Sequence, residues 1–259
     1  MSDDLLYEVT ERIGLLTFNR PQARNALTFQ MYERLGDICE NAPTDGSVQA
    51  IILTGAGDKA FAAGTDIALF RDFHTAEQGI DYERKFARAL ARVESCPIPT
   101  IAALCGACTG GGAGIAAMCD LRIAADSLKF GFPIARTLGN CLSAGALHRL
   151  AALLGEGRLM DIMLTSRLIE AGEARAIGLV SEVLQGREQM LERAWMLARQ
   201  LAGHAPLTMR ATKQLLRRLR AQGPGVYDED VIGEVYASAD FREGLDAFLA
   251  KRTPRWQGR

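Results

Sequence analysis

The run Thr109-Gly110-Gly111-Gly112-Ala113-Gly114 constrains the fold more than any other stretch of this 259-residue chain. Before it comes Thr100-Ile101-Ala102-Ala103-Leu104, a short unbroken apolar run of the kind that parallel strands buried on both faces show. After it comes Ile115-Ala116-Ala117-Met118, a helical segment with almost no side-chain bulk. Glycines at such a junction let the backbone turn sharply and leave amide N–H groups exposed at a helix N-terminus. That place stabilises negative charge, either a bound anion or an oxyanion forming during a reaction. Taken alone, the same run also suits two elements that simply approach closely. No Gly-Lys-Ser/Thr follows, so it is not a Walker loop. The dinucleotide fingerprint fits poorly too, because it needs a βαβ unit near the start of a domain and an acidic residue on the next strand.

A second segment narrows the choice. Ala50-Ile51-Ile52-Leu53-Thr54 is again a buried-type strand, and Gly55-Ala56-Gly57-Asp58-Lys59 is a turn. Small residues from Ala60 to Gly64 then close on a helix that begins near Asp66. The N–H of Thr65 follows a glycine and precedes that helix. Two amides, one from each of two parallel strand-to-helix turns, can grip one carbonyl oxygen.

The chain as a whole resembles the crotonase superfamily, the enoyl-CoA hydratase and isomerase family. The matching segments are Asn19-Arg20-Pro21 with Arg24-Asn25-Ala26-Leu27, Phe61 to Ile67, Gly106 to Asp120, and Phe130-Gly131 with Pro133. Thr165-Ser166-Arg167, Gly178-Leu179-Val180 and Phe248-Leu249-Ala250-Lys251-Arg252 continue the series to the C-terminus. The resemblance implies an α/β fold, a crotonase-like spiral of repeated ββα units with a C-terminal helical region. Residues 1–192 would form the spiral core, and 193–259 a helical region for oligomerisation that closes the acyl-CoA site. It also implies an acyl-CoA thioester enzyme, a lyase or isomerase that stabilises a thioester enolate. The oxyanion hole would be the N–H groups of Thr65 and Gly111. Ala63, Asp66, Ile67 and Ala68, with backbone near Arg24 and Ala26, would line the CoA channel. Lys251 resembles a lysine that approaches the CoA phosphates, sometimes of a neighbouring subunit. Coenzyme A would arrive as part of the substrate, with no permanently bound cofactor and no metal. The expected partner is the chain itself, as a homotrimer or a dimer of trimers.

One departure matters more than the match. Hydratases of the family place two glutamates across the bound enoyl group; the equivalent positions are Gly114 and Ile134. General acid–base groups contribute about 10²- to 10⁴-fold each, and one oxyanion donor about 10²- to 10³-fold. Enolate stabilisation is therefore retained while the usual proton traffic is not. The segment from Ile134 to Ser143 offers Arg136, Thr137, Asn140, Cys141 and Ser143 as substitutes. Asn140 can position a water, and Ser143 aligns loosely with a position that is acidic in dienoyl-CoA isomerases. Asp120 resembles a structural position at a helix end, and His74 lies on the helical segment that covers the acyl pocket in the family. The alternatives to hydration are isomerisation, decarboxylation or dehydration of an unusual acyl-CoA, and acyl-CoA binding without turnover.

Composition excludes other classes. A formal net charge of −1 gives no electrostatic case for nucleic acid or an anionic membrane. Cys105-Gly106-Ala107-Cys108 has zinc-ribbon spacing, but no second Cys or His pair follows at metal-site distance, so the six cysteines read as small buried hydrophobes, Cys141 apart. With no secretory signal and no apolar run of about 18 residues, a cytoplasmic location is expected. The expected elements are a hairpin of Leu5–Thr10 and Gly14–Phe18 turning near Arg12, a helix over Phe29–Asn41 and strands over Val48–Thr54 and Leu121–Ala125. Residues 67–94 read as largely helical with a charged, mobile middle at Thr75–Gly79. Helix dominates from about Arg193, with a solvated basic face at Lys213–Arg220.

Overall fold

In the computed structural model, which describes residues 4–223 and 225–259, Leu5–Thr10 (β1) and Ile13–Phe18 (β2) form the expected antiparallel hairpin. Glu11 and Arg12 take φ of 53° and 63°, the left-handed pair that a two-residue hairpin turn needs. Phe29–Glu40 (α1) follows, started by a Thr28 hydroxyl that accepts from Met31 N. Then come Ala50–Gly55 (β3), Ala60–Ala62 (β4) and Ala76–Glu94 (α2). The next turn of chain holds Thr100–Leu104 (β5), Ala107–Thr109 (β6) and Gly111–Met118 (α3). After it come Leu121–Ala125 (β7), Lys129–Gly131 (β8) and the short Ile134–Thr137 (α4). Ala144–Leu154 (α5), Glu156–Thr165 (α6), Ile169–Glu170 (β9), Ala171–Ala176 (α7) and Val183–Leu184 (β10) lead to Gly186–Ala202 (α8). Pro206–Gln222 (α9), Glu229–Ala237 (α10) and Ala239–Leu249 (α11) complete the described chain.

The strands form two sheets, one of order β1-β2-β3-β5-β7-β10 and one of order β4-β6-β8-β9. From β2 onward the larger sheet is parallel, as are β4, β6 and β8. The three turns β3-β4-α2, β5-β6-α3 and β7-β8-α4 each add one strand to each sheet and then a helix. The unbroken apolar strands follow from burial on both faces. Ile51 and Leu53 face the main core with Phe18, Phe61 and Phe130, whereas Ala50 and Ile52 face a second core with Met190, Ala194 and Ala198 of α8.

The largely exposed segment Thr75–Gly79 opens α2: Thr75 caps the helix, its hydroxyl accepting from Gln78 N while the Gln78 amide oxygen accepts from Thr75 N at 3.0 Å. Position 192 lies within α8, whose apolar face packs over β3, β5 and β7, and the next helix starts at Pro206. The Lys213–Arg220 face is partly docked, since Lys213 Nζ donates to Asp120 Oδ2 at 2.5 Å and to Ile98 O at 2.8 Å. Arg220 likewise reaches Glu94 at 2.6 Å. Among the described residues no helix is long and apolar enough to cross a membrane.

Candidate active site

The two glycine-bearing turns meet where β4 and β6, neighbours in the smaller sheet, reach their C-terminal ends. Gly64 has φ 110° and Gly110 φ 52°, conformations that a side chain would strain. A Cβ built on Gly110 would lie 3.5 Å from Gly64 Cα, and one on Gly64 3.9 Å from Gly111 N. The turns are tied together by Thr109 Oγ1 donating to Ala63 O at 3.0 Å, and Gly110 N anchors the second turn to β8 by donating to Gly131 O at 3.0 Å.

Thr65 bridges Leu27 in parallel fashion: Leu27 N donates to Gly64 O at 2.8 Å and Asp66 N donates to Leu27 O at 2.9 Å. By the alternation of extended backbone, the Thr65 N–H itself points away from Leu27. Gly111 is the first residue of α3, so its N–H has no partner within the helix. Neither amide donates to another group among the described residues. Both residues line one cavity of about 170 Å³. Two free donors on adjacent turns, one at a helix N-terminus, make a place where a carbonyl oxygen can take up negative charge.

Neither position 114 nor position 134 brings a carboxylate to the cavity. Gly114 is buried in α3, and a Cβ there would meet Phe86 Cζ at 2.9 Å and both Leu90 methyl carbons at 3.5 Å. Phe86 and Leu90 of α2 thus cover the space that a side chain at position 114 would enter. Ile134, 7% exposed, gives the cavity an apolar wall at the other position. Between them runs a chain of hydroxyls: Tyr32 to Thr65 Oγ1 at 2.9 Å, and Thr65 Oγ1 to Tyr82 at 2.8 Å. Burial raises the phenol of Tyr32 well above its ordinary value and that of Tyr82 in the same direction. Both hydroxyls therefore stay neutral and serve as donors or acceptors of hydrogen bonds.

Glu83 of α2 also lines this cavity, and sequence reasoning missed it. It is half-buried, and its Oε2 accepts from Ser143 N at 3.2 Å. Burial raises its carboxyl above the usual range, with the Ser143 N–H pulling the other way. The available signal was its place beside the apolar stripe Tyr82, Phe86, Leu90, Val93 of an amphipathic helix, where a carboxylate faces inward.

Six of the seven expected CoA-channel residues come together. Ala63 N donates to Arg24 O at 3.1 Å, and Arg20 joins Ala26 O at 2.7 Å to the Asp66 carboxylate at 2.9 Å. Asp66 Oδ1 in turn accepts from Ala68 N at 3.1 Å, and Ile67 lies exposed on the cavity rim. The turn from Arg24 is held by buried Asn25, whose Nδ2 donates to Ala56 O and Ala60 O. Lys251 stands apart: it is exposed at the end of α11, at φ 53°, and lines neither this cavity nor its neighbour. Asn140 does line the cavity. Ser143 lines the neighbouring cavity instead and caps α5, its Oγ accepting from Ala146 N at 3.4 Å. Cys141 is exposed and faces a neighbouring cavity, the Thr137 hydroxyl donates to Pro133 O, and Arg136 and His74 line neither space. Asp120 is structural, accepting from Thr100 N and Oγ1 at 2.8 and 2.9 Å.

Comparison with known proteins agrees with this architecture. The family model described as enoyl-CoA hydratase/isomerase matches residues 8–259. A probable enoyl-CoA hydratase of Mycobacterium tuberculosis is 34% identical over 260 residues, 99% of each chain. The 2,3-dehydroadipyl-CoA hydratase of Escherichia coli is 34% identical over 259 residues, again 99% of each. Among solved structures, an enoyl-CoA hydratase/carnithine racemase from Magnetospirillum magneticum superposes with a TM-score of 0.92 at 34% identity, covering 100% of this chain and 97% of that one. An enoyl-CoA hydratase from Bacillus anthracis gives 0.87 at 31% identity, covering 99% of this chain and 100% of that one. With the spiral of paired strands, the two abutting glycine turns and a family match that spans nearly its whole length, the chain belongs to the enoyl-CoA hydratase/isomerase family.

Proposed function

We propose that this protein is a hydratase-type acyl-CoA enzyme that grips the thioester carbonyl between the N–H groups of Thr65 and Gly111 and works through the thioester enolate. The observation that carries this reading is the pair of unpartnered amides on adjacent turns, facing one cavity. A thioester enolate places its charge on the carbonyl oxygen, and donors fixed beforehand stabilise it without reorganising during reaction. The Arg24, Ala26, Ala63, Asp66, Ile67 and Ala68 cluster forms the approach for the CoA portion. CoA enters as part of the substrate, so no resident cofactor is invoked.

A second reading, double-bond migration, is favoured by one observation. Among the described residues that line the cavity, Glu83 is the one carboxylate, and moving a proton between two carbons of an acyl chain needs a single base that can return it. Hydration needs a proton removed from water and a proton delivered to carbon.

The chain assembles as a homotrimer or dimer of trimers in the cytoplasm, with α9 to α11 at the contacts. The support for assembly is apolar surface: Phe248 is 81% exposed and Leu249 71%, with Tyr236 also outward. In such an assembly Lys251 serves the CoA phosphates of a neighbouring subunit, which accounts for its distance from the site of its own chain.

The test is turnover of two substrates by the purified protein. Loss of enoyl absorbance with crotonyl-CoA reports hydration, and its appearance with 3-butenoyl-CoA reports migration. Turnover of either supports the enzyme reading and chooses between the two reactions. Butyryl-CoA binding without turnover of any thioester overturns it in favour of a binding role.

A further inference from the structure

Position 114 carries no carboxylate, but α2, the helix that packs over it, does. Phe86 closes the space above Gly114, and Glu83 lies three residues earlier on α2, about 4.5 Å along the helix axis and on nearly the same face. Glu83 lines the cavity that holds Thr65 and Gly111. It also lines a second, larger cavity of about 540 Å³, walled by Phe70, Phe73 and Ile80. Four residues, Phe70, Tyr82, Glu83 and Asn140, are common to both. An acyl group whose carbonyl sits at the two amides and whose apolar tail runs into the second cavity passes directly by Glu83.

Resting on the enolate reading above, we propose that Glu83 is the catalytic base and acid of this site, moving a proton to and from the acyl carbon next to the thioester. The Glu83 carboxylate takes a proton from Cα. The C–H electron pair becomes a C–C double bond, and the carbonyl π pair moves onto oxygen, where the Thr65 and Gly111 N–H groups hold it. Return of a proton from Glu83 to carbon reverses the step, so no other reactant is consumed. The Ser143 N–H bond to Oε2 fixes one carboxylate oxygen and leaves Oε1 for the substrate.

The environment suits a base that must also act as an acid. Besides Glu83, the titratable groups lining the two cavities are Tyr82 and Arg84 on its own helix and Cys141 on the facing segment. Tyr32 on α1 lies behind, reached through Thr65. Arg84 is exposed and paired with Asp81 at 3.3 Å, so no buried cation faces Glu83 from these walls. Desolvation therefore dominates and holds its carboxyl above the usual range, closer to working pH.

The experiment follows exchange of the α-protons of hexanoyl-CoA in D2O by proton NMR, with wild type and Glu83→Gln. Glutamine keeps an oxygen for the Ser143 N–H but cannot take a proton. The expected result is exchange by wild type and a loss of about 10²- to 10⁴-fold in the variant, with hexanoyl-CoA affinity changed less than threefold. Wild-type exchange that falls with decreasing pH, at a midpoint above the ordinary glutamate value, supports the same assignment without any variant. Equal exchange by wild type and a folded Glu83→Gln, or a flat wild-type pH profile, overturns Glu83 and leaves the enolate reading standing. No exchange by wild type overturns the enolate reading, and Glu83 with it.

Discussion

Restoring a glutamate at position 114 should damage the protein instead of improving it, because α2 has taken the space. A Cβ at Gly114 already meets Phe86 Cζ at 2.9 Å, closer than ordinary contact, and the two Leu90 methyls at 3.5 Å. The remaining side-chain atoms of glutamate must push into a layer where Phe86 and Leu90 are each 3% exposed. Overpacking of this kind costs about 1–3 kcal/mol. A carboxyl buried without a partner costs about 1–3 kcal/mol more on mutational scales. Better helix propensity than glycine returns somewhat under 1 kcal/mol. The net is a loss of roughly 1–5 kcal/mol, a large share of a typical stability of about 5–15 kcal/mol. Urea unfolding followed by far-UV circular dichroism, at one protein concentration because assembly adds to apparent stability, reads it out. With a slope of about 2–3 kcal/mol/M, Gly114→Glu should lower the midpoint by about 1 M. Phe86→Ala alone costs about 3–5 kcal/mol. The double variant Phe86→Ala/Gly114→Glu should be less destabilised than the sum by at least about 1 kcal/mol, since each change relieves the other. A wild-type midpoint for Gly114→Glu, or strict additivity in the double variant, would refute the argument that Phe86 occupies this space.

Further expectations concern the same layer and its supports. A Cβ at Gly111 would fall on the Tyr32 hydroxyl, while the ring Cζ is 3.2 Å away, so Gly111→Ala should lose about 1–3 kcal/mol in wild type and much less in a Tyr32→Phe background; a double-mutant cycle in urea checks this. Thr65→Val should cost about 1–3 kcal/mol, because it strands the Tyr32 and Tyr82 hydroxyls that Thr65 Oγ1 joins; thermal melts of the variant measure it. Burial raises the Glu83 carboxyl, so its contribution to stability is fully present below the ordinary glutamate pKa and is lost as pH rises through the raised folded value. Glu83→Gln should accordingly melt above wild type at neutral pH, with the gap closing as pH falls below the ordinary range. Lys213→Ala should cost about 1–3 kcal/mol by removing the cation beside the half-buried Asp120 carboxylate, which keeps its bonds from Thr100, and an unchanged melting temperature would show the contact to be idle.

How much of this was legible in the sequence differs from element to element. Ala50–Thr54 and Thr100–Leu104 read as doubly buried parallel strands because no polar residue interrupts them, save threonines whose backbone joins the ladder. Gly64 and Gly110 marked the two turns, since positive φ there leaves glycine little competition. Glu83 was legible only as a neighbour of the apolar stripe on α2, and one carboxylate in a helix with a polar outer face looks like solvent surface until the cavity beside it is seen. Ser143 shows the same dependence on surroundings, because a serine before an apolar helix reads as a cap or as a site residue, and here it caps α5 beside the second cavity. The role of Phe86 depends on contact between α2 and α3, helices separated in the chain by β5 and β6, which periodicity does not report.

The central claim is that two backbone amides polarise a thioester carbonyl, and its most direct measurement is difference infrared spectroscopy of bound [1-13C]hexanoyl-CoA against the unlabelled ligand. Hydrogen bonds from the Thr65 and Gly111 N–H groups should lower the carbonyl stretch well below its value in water and narrow it to one band. A carbonyl stretch in the bound ligand equal to that in water would contradict the account.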